Sequence, residues 1–592
     1  MTTAVTPATR DRPGDVARPG PGSGPGARRS LGARLAAPPD PWASLVALLF
    51  WAASLLPTLL PHGILVQGAL TGTSLMIGYG IGCLARSLFR LQRRRTGWFR
   101  PSAQVTRTVR TVAVVVVVLL LTVGSWAWWR WQQSQRRLVG MSPLNGRSPV
   151  TMVLVAALVA LVVLGLSRLL AAGCGRLTQV LSSRLGGMAA RSIVTVACVV
   201  VVFLAFDQLV VNGVVDSTKA TFAAGNSGTD PGVVQPTSPL ESGGPGSLTP
   251  WDTLGRQGRN FAGEATSVAA LRAFAGPGSP VMTPIRVYVG LQTAPTPGAR
   301  AALALRELQR TGAFARSVLV VATATGTGWI NPNASAAVEY LWSGDTAIVS
   351  MQYSYLPSWI SSLTEEGAAS TAGRDLVTAV SSYWSTLPPD HRPRLVLFGE
   401  SLGSYGTEAG LARGTEGASV ANLLDHSDGA LFVGPTNDNP IWRQIVAGRA
   451  ASSPVWRPVS PLGDVAVANS AAELVTSPGA NRGRVVYLVH ASDPVTWWDV
   501  PTLWWPPGWI TGPHGPDVPS EVGWFPVVTW LQTTADLMAG FSTAPGHGHN
   551  YNNAIAGAFA SLVPPPGWTA SDSVRLSATV DRLNELGQNS NA

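Results

Sequence analysis

Charge is scarce in this chain. Only 12% of its 592 residues are Asp, Glu, Lys or Arg, about half the share of an ordinary soluble domain. Lysine is all but missing, with Lys219 the single example. Set beside 46% hydrophobic residues and 22 tryptophans, that deficit excludes an ordinary soluble protein. Cysteine is nearly absent as well. Cys83, Cys174 and Cys198 all lie in or beside long apolar runs, so the chain from residue 251 onward has neither disulfides nor a cysteine nucleophile. The formal charge of +10 invites a nucleic-acid reading, but much of the Arg excess sits in the first part of the chain, beside apolar runs. No aromatic-interleaved basic patch and no zinc-ligand spacing appears, so no nucleic-acid partner is expected.

What is present begins with a tail, residues 1–40, rich in Pro, Gly, Arg and Ala and expected to be disordered. The first apolar run starts too late for a secretory signal. Five runs then approach the roughly 20 apolar residues that cross a bilayer: 42–60, 64–85, 111–129, 150–170 and 193–215. Only helices satisfy their own backbone groups in hydrocarbon, so five transmembrane helices are expected. Arginines crowd the tail, the connection carrying Arg86 to Arg110, and the connection carrying Arg176, Arg184 and Arg191. These fall on one side of a five-span arrangement, and that side is expected to be cytoplasmic. The connection with Arg130, Arg136, Arg137 and Arg147 dissents more weakly. The reading is a multi-pass protein of the cytoplasmic (inner) membrane, N-terminus inside, with everything after Val215 outside. Asp207 interrupts the last run near its outer end, which favours snorkelling or an interhelical partner over a proton relay. Gly68 with Gly72, and Gly78 with Gly82, suit close packing inside the bundle. Residues 216–250, rich in Gly, Ser, Pro and Thr, read as a linker.

From 251 to 592 the pattern alternates β and α, which implies a mostly parallel sheet with helices on both faces. Strands are expected at 285–291, 317–324, 346–353, 394–398, 430–433 and 484–489, with helices at 301–310, 333–342 and 368–386. The fourth strand runs into Gly399-Glu400-Ser401-Leu402-Gly403, the G-x-S-x-G of a nucleophile elbow. A Cβ at Gly399 or Gly403 would collide with neighbouring backbone in such a turn. The turn holds the Ser401 hydroxyl above the sheet edge and aims the Leu402 N–H at a developing oxyanion. The second oxyanion donor is expected in the loop 325–329, at the N–H of Thr327, Gly328 or Trp329. That loop is not a phosphate loop, since no Gly-Lys-Ser/Thr follows, and the third Gly of a dinucleotide loop is replaced by Asn331.

In a fold of this kind an acid follows the elbow and a histidine comes last. Asp493, just past the last strand, is the expected acid, with Asp438 as alternate; Asp493 also reads as a helix N-cap. His549 is the expected base, on the ground that His549-Asn550-Tyr551 can start a helix that fixes the ring, with His547 as alternate. His391, His426, His490 and His514 read as structural or surface residues. No cofactor is expected, and no metal, since no third ligand stands at a familiar spacing from the His547–His549 pair. Between Asp493 and His549 lies an insert with Trp497, Trp498, Trp504, Trp505, Trp509, Trp524, Phe525 and Trp530. It reads as a cap, suited to acyl chains or to a bilayer interface.

On the stretches 284–291, 325–329, 344–349, 351–359, 399–403, 491–498 and 546–551 the chain resembles a bacterial, largely actinobacterial, family of membrane-anchored α/β-hydrolases. That family joins an N-terminal transmembrane block to a C-terminal catalytic domain. The resemblance spans nearly all of 251–565 and implies an α/β-hydrolase fold and serine-hydrolase chemistry, without naming a reaction. The expectation is a Ser401–His549–Asp493 hydrolase of esterase, lipase or thioesterase type. It would act outside the membrane on an acylated lipid or envelope glycan. An acyltransferase using the same acyl-enzyme is one alternative, and a non-catalytic assembly or transport component on this scaffold is another.

Overall fold

Seven short segments whose side chains are nearly all buried assemble into one all-parallel sheet: β1 (Ile285–Val289), β2 (Val318–Thr323), β3 (Thr346–Met351), β4 (Arg394–Glu400), β5 (Gly429–Val433), β6 (Val465–Ala468) and β7 (Val485–Leu488). Their spatial order is β1-β3-β2-β4-β5-β7-β6. The structure, a computed structural model, describes residues 38–96, 102–206, 213–365, 367–476 and 484–590, with the single positions 2 and 208. Nearly all of the tail, and Asp207, lie outside the described residues. The chain divides into two compact units, residues 1–39 with 162–198 and residues 40–161 with 199–592. The first contains the Cys174–Cys198 disulfide; the second contains the sheet.

Continuous runs of Val, Leu and Ala form these strands because both faces of the sheet are covered. Alternate side chains therefore enter two different cores. Leu395 and Leu397 of β4 join one core and Val396 and Phe398 the other. The pairing Val320↔Val396 and Val320↔Ile348 places β2 between β4 and β3. β4, the strand that delivers Ser401, lies at the centre with three strands on each side. Six strands were legible as apolar runs. β6 was not, being four residues long at the sheet edge with Val465 and Val467 only partly buried.

Residues 216–250, read above as a linker, instead begin with the helix Gly213–Asn226 and continue along the sheet. The Ser242 N–H donates to the Arg286 carbonyl (2.9 Å), and the Arg286 N–H donates to the Leu240 carbonyl (3.2 Å). The hydroxyl of Ser242 accepts from Tyr288 N–H at 2.8 Å. Composition misleads here because an edge strand leaves backbone groups that any nearby segment can pair, whatever its side chains.

Three N-terminal helices are long and apolar enough to cross a membrane: Ile64–Gln92, Ala103–Leu138 and Ser148–Leu185. The other two apolar runs give the shorter helices Pro41–Ser54 and Gly187–Val202 among the described residues. The first run breaks because Pro57 and Pro61 follow it, and Pro does not continue a helix. Its 14 residues rise about 21 Å, short of the roughly 30 Å of hydrocarbon. The glycine pairs pack against neighbouring helices. A Cβ on Gly72 would lie 2.6 Å from the Ala156 carbonyl oxygen, and one on Gly82 would lie 2.6 Å from Ala43 Cα. The turn at 55–63 leaves the apolar bundle altogether. Leu59 and Leu60 are fully buried in the same core as β1 and β2, and Phe50 and Ala53 pack on Val528 beside Phe525.

Candidate active site

β4 ends at Glu400, and the helix Leu402–Leu411 begins two residues later. Ser401 turns the chain between them at φ 55°, ψ −126°, a conformation that costs a non-glycine residue energy and that the surroundings must impose. They do so by close approach. A Cβ on Gly403 would stand 2.3 Å from the Thr323 carbonyl oxygen, and one on Gly399 2.6 Å from Ser404 Cα. The turn is pinned by Ser401 N–H donating to the Val433 carbonyl (2.9 Å) and by the Ser404 hydroxyl donating to the Ser401 carbonyl (2.6 Å).

Asp493 follows β7 and is completely buried. One oxygen caps the helix Pro494–Trp497 through Val495 N–H (2.9 Å). The other lies 2.7 Å from His549 Nδ1 and accepts from the Tyr551 hydroxyl, also at 2.7 Å. The two readings of Asp493 are thus compatible, because a carboxylate has enough lone pairs for both. The contact with Asp493 puts the ring proton of His549 on Nδ1 and leaves the Nε2 lone pair open. Nε2 is buried and has no hydrogen-bond partner among the described residues. The ring packs against Gly434, where a Cβ would come within 2.6 Å of His549 Cε1. Gly434 directly follows Val433, the residue that holds Ser401 N–H, so the imidazole and the serine flank the same two residues.

The remaining expectations fare differently. Asp438 is exposed and pairs with Arg443 at 2.6 Å, away from the histidine. His547 turns to Asp517 (3.2 Å), a carboxylate that also accepts from the Ser492 hydroxyl. The helix expected to start at His549 starts at Ile555 instead. The ring is fixed by Asp493, and its backbone by His549 N–H donating to the Gly540 carbonyl (2.9 Å). In the loop after β2, the Gly328 N–H is committed to the Thr325 carbonyl (2.9 Å) and the Gly326 N–H to the Ser358 hydroxyl (3.2 Å). Gly328 is therefore not an available donor. Thr327 and Trp329 keep N–H groups without an acceptor among the described residues, as does Leu402 at the helix start.

Three neighbours escaped the sequence reading. Tyr551 stacks on His490 with ring centres 3.9 Å apart while bonding Asp493. Glu400, inside the elbow itself, is buried and accepts from Asn331 Nδ2 at 2.9 Å. Burial raises its carboxyl above the usual range, against the opposing charge of His549. Asn331 in turn caps the helix Pro332–Leu341 and reaches Asn552 at 3.2 Å. The signal for Glu400 was its place in G-x-S-x-G; nothing in the sequence marked Asn331. Among the described residues no cluster of His, Cys, Asp and Glu could hold a metal.

Residues 285–576 match the model of an alpha/beta-hydrolase family, and residues 55–265 match the model of that family's N-terminal region. The chain belongs to this alpha/beta-hydrolase family. Membership supports a hydrolase-type function. The N-terminal match, which spans the apolar helices from Ile64 onward and runs through 216–250, treats that region as part of the family. Neither a curated protein nor a solved structure matches the chain.

The electrostatics of His549 carry a pH dependence. Burial alone would lower the imidazolium, but the charge and hydrogen bond of Asp493, helped by Glu400, raise it above its ordinary value. An unfolded histidine titrates near pH ~6.5. The stabilisation from this pair is therefore full below that pH and is lost as pH rises through the higher folded value. Asp493→Asn leaves burial unopposed by the carboxylate, and the His549 transition is expected to move acid of the parent's. Titration of the His549 Cε1–H resonance by NMR reads this; an unmoved transition would show that Asp493 does not control the ring.

Proposed function

We propose that the protein is a membrane-anchored serine hydrolase that cleaves acyl esters or thioesters. The observation that carries this reading is the buried His549, bonded to Asp493 through Nδ1 and with Nε2 unpartnered among the described residues, beside a serine held in an elbow. His549 Nε2 takes the proton of Ser401 Oγ as the oxygen adds to the carbonyl carbon, and Asp493 stabilises the imidazolium that results. The oxyanion is held by Leu402 N–H and by the N–H of Thr327 or Trp329. His549 returns the proton to the departing alcohol or thiol, leaving Ser401 acylated. Water then adds to the acyl carbon with His549 as base and releases the acid.

Ser401→Ala is expected to abolish covalent labelling of the full-length protein by a fluorophosphonate. Labelling in the parent should rise with pH through the raised imidazolium value, because only neutral His549 accepts the proton. Labelling that persists at another serine sinks the assignment.

The insert supports one class of substrate. Trp497 and Trp509 are buried in the sheet core, whereas Trp504 and Trp505 are 62% and 70% exposed. They stand in a segment that packs on the N-terminal helices through Phe525 and Val528. Exposed neighbouring indoles beside apolar helices fit the interface of a bilayer, and so favour a substrate held in one, an acylated lipid or lipid-linked glycan. Replacing both by Ala should lower turnover of octanoyl and palmitoyl esters presented in vesicles and spare a soluble acetyl ester. Equal loss on all three would assign these tryptophans to folding alone.

The remaining element is sidedness. The arginine distribution supports an internal N-terminus and an external hydrolase domain in the cytoplasmic membrane, a sidedness that counts the two shorter apolar helices as spans along with the three long ones. A C-terminal alkaline phosphatase fusion is expected to be active and a fluorescent-protein fusion dark; the reverse would place the hydrolase domain inside.

A further inference from the structure

Between residues 41 and 206 the chain contains no Asp or Glu, yet His62, in the turn after the first helix, is paired with a carboxylate. Its partner is Asp536, at 2.7 Å from Nε2, and both side chains are buried. Asp536 lies on the helix Val528–Ala539, late in the hydrolase sequence. The same oxygen accepts from the Thr58 hydroxyl at 3.1 Å. One turn earlier, Gln532 Nε2 donates to the Leu56 carbonyl at 2.8 Å. His62 is itself held from behind. Its Nδ1 meets Gln67 Oε1 at 2.9 Å, and Gln67 spends its amide protons on the Ser54 carbonyl (2.8 Å) and the Thr71 hydroxyl (3.1 Å). Arg136 donates to the His62 carbonyl at 3.0 Å. A cluster this polar and this buried is costly unless it fixes a geometry, because each member removed strands its partners.

The geometry it fixes is that of His549. Four residues beyond Asp536, the Gly540 carbonyl accepts the His549 N–H, and the Phe541 ring stands edge-on to the imidazole with centres 4.9 Å apart. The loop between them is gripped a second time. The Ala544 N–H donates to the Val139 carbonyl at 3.3 Å, and Gly140 leaves no room for a Cβ, which would lie 2.6 Å from Ala544 Cβ. Two separate points of the N-terminal region thus hold residues 536–549, one at Asp536 and one at Ala544.

We infer that the turn at 55–63 positions the base of the active site, with His62 and Asp536 as the positioning residues. The N-terminal helices are then a structural part of the active site and more than an anchor. The inference rests on the serine-hydrolase reading only for its kinetic readout. Ring placement within a fraction of an ångström decides the rate of proton transfer, while probe binding does not depend on it.

The test uses the full-length protein in detergent. His62→Ala and Asp536→Ala are each expected to slow the inactivation rate constant for fluorophosphonate on Ser401 by about 10- to 100-fold, with the probe's binding constant unchanged. The double variant should lose no more than the worse single one, as for residues acting as one unit. The far-downfield proton resonance of the His549–Asp493 hydrogen bond should broaden or vanish. Glu307→Ala breaks a different buried cluster, with Ser247, Leu248 and Arg310, and is expected to destabilise the fold while leaving rate and resonance alone. Asp536→Asn keeps an acceptor for Thr58 and a partner for His62, and should fold like the parent with most of the rate intact. An unchanged rate in the alanine variants, equal loss in Glu307→Ala, or a loss in Asp536→Asn as deep as in Asp536→Ala overturns the inference. A parent that takes no probe would instead defeat the serine-hydrolase reading, and the resonance comparison would still decide the positioning.

Discussion

A carboxylate with no exposed surface is costly unless donors meet its lone pairs, and Asp493 meets four: Val495 N–H, the Thr496 hydroxyl, His549 Nδ1 and the Tyr551 hydroxyl. Much of the surrounding structure follows from satisfying it. Pro494–Trp497 can begin a helix in the loop after β7 because Asp493 caps it. Tyr551 can be buried because its hydroxyl donates to Asp493 and accepts from His490 N–H at 2.9 Å. His490 is then pressed flat on Tyr551, and its other contact, Nδ1 with the Gly548 carbonyl, returns to the residue before His549. The result is a closed loop of hydrogen bonds around one imidazole, each member fixing the next. In a low-dielectric interior such loops are stiff when complete.

The parts of this arrangement legible in the sequence are those with a local cause. Runs of Val, Leu and Ala make buried strands wherever they fall, so β1 to β5 and β7 announced themselves. Gly399 and Gly403 flank Ser401 because no Cβ fits there, which is a local steric rule. Asp493 and His549, which the structure brings into contact, were singled out from chain order, itself a consequence of sheet topology. What stayed hidden depends on where distant segments meet. Nothing around Asp536 distinguishes it from an ordinary surface Asp on a helix, because its partner His62 is 474 residues away. Asp517 was equally silent, and the expected helix at His549 was replaced by a tight loop that Gly546 closes on Asn550. The error over 216–250 has the same origin: composition describes what a segment prefers alone, whereas an open sheet edge selects whatever lies beside it.

The N-terminal region combines two environments in one set of helices. Leu154, Leu158 and Leu161 point outward and are more than 60% exposed, a pattern that suits lipid and would be unfavourable against water. Ser54, Thr58, His62, Gln67 and Thr71 are buried in and beside the turn at 55–63, where polar groups find partners in the hydrolase sequence. Proline at 57 and 61 is what permits the change. It ends the first helix early and frees a turn whose carbonyls can be met by Gln135, Arg136 and Gln532. A continuous apolar hairpin of ordinary length would have kept those carbonyls inside helices and left the helix 528–539 without a polar seat.

In the proposed mechanism the same contacts would constrain how substrate reaches Ser401, which is only 6% exposed while His549 is 2% exposed. Lifting the whole insert away would separate Asp517 from Ser492 and His547. Ser492 adjoins Asp493 and accepts from Gly548 N–H, and His547 lies two residues before His549, so such a motion would loosen the imidazole. It would also strip Val528 from Phe50 and Ala53 and expose apolar surface. Side-chain rotation at the rim carries neither cost. Phe541 is 66% exposed and touches the imidazole by its ring edge, so a change of rotamer there uncovers the ring without disturbing a hydrogen bond. A rigid insert with a movable rim is consistent with an imidazole whose position is secured from both the sheet and the N-terminal helices, since any larger motion would work against both.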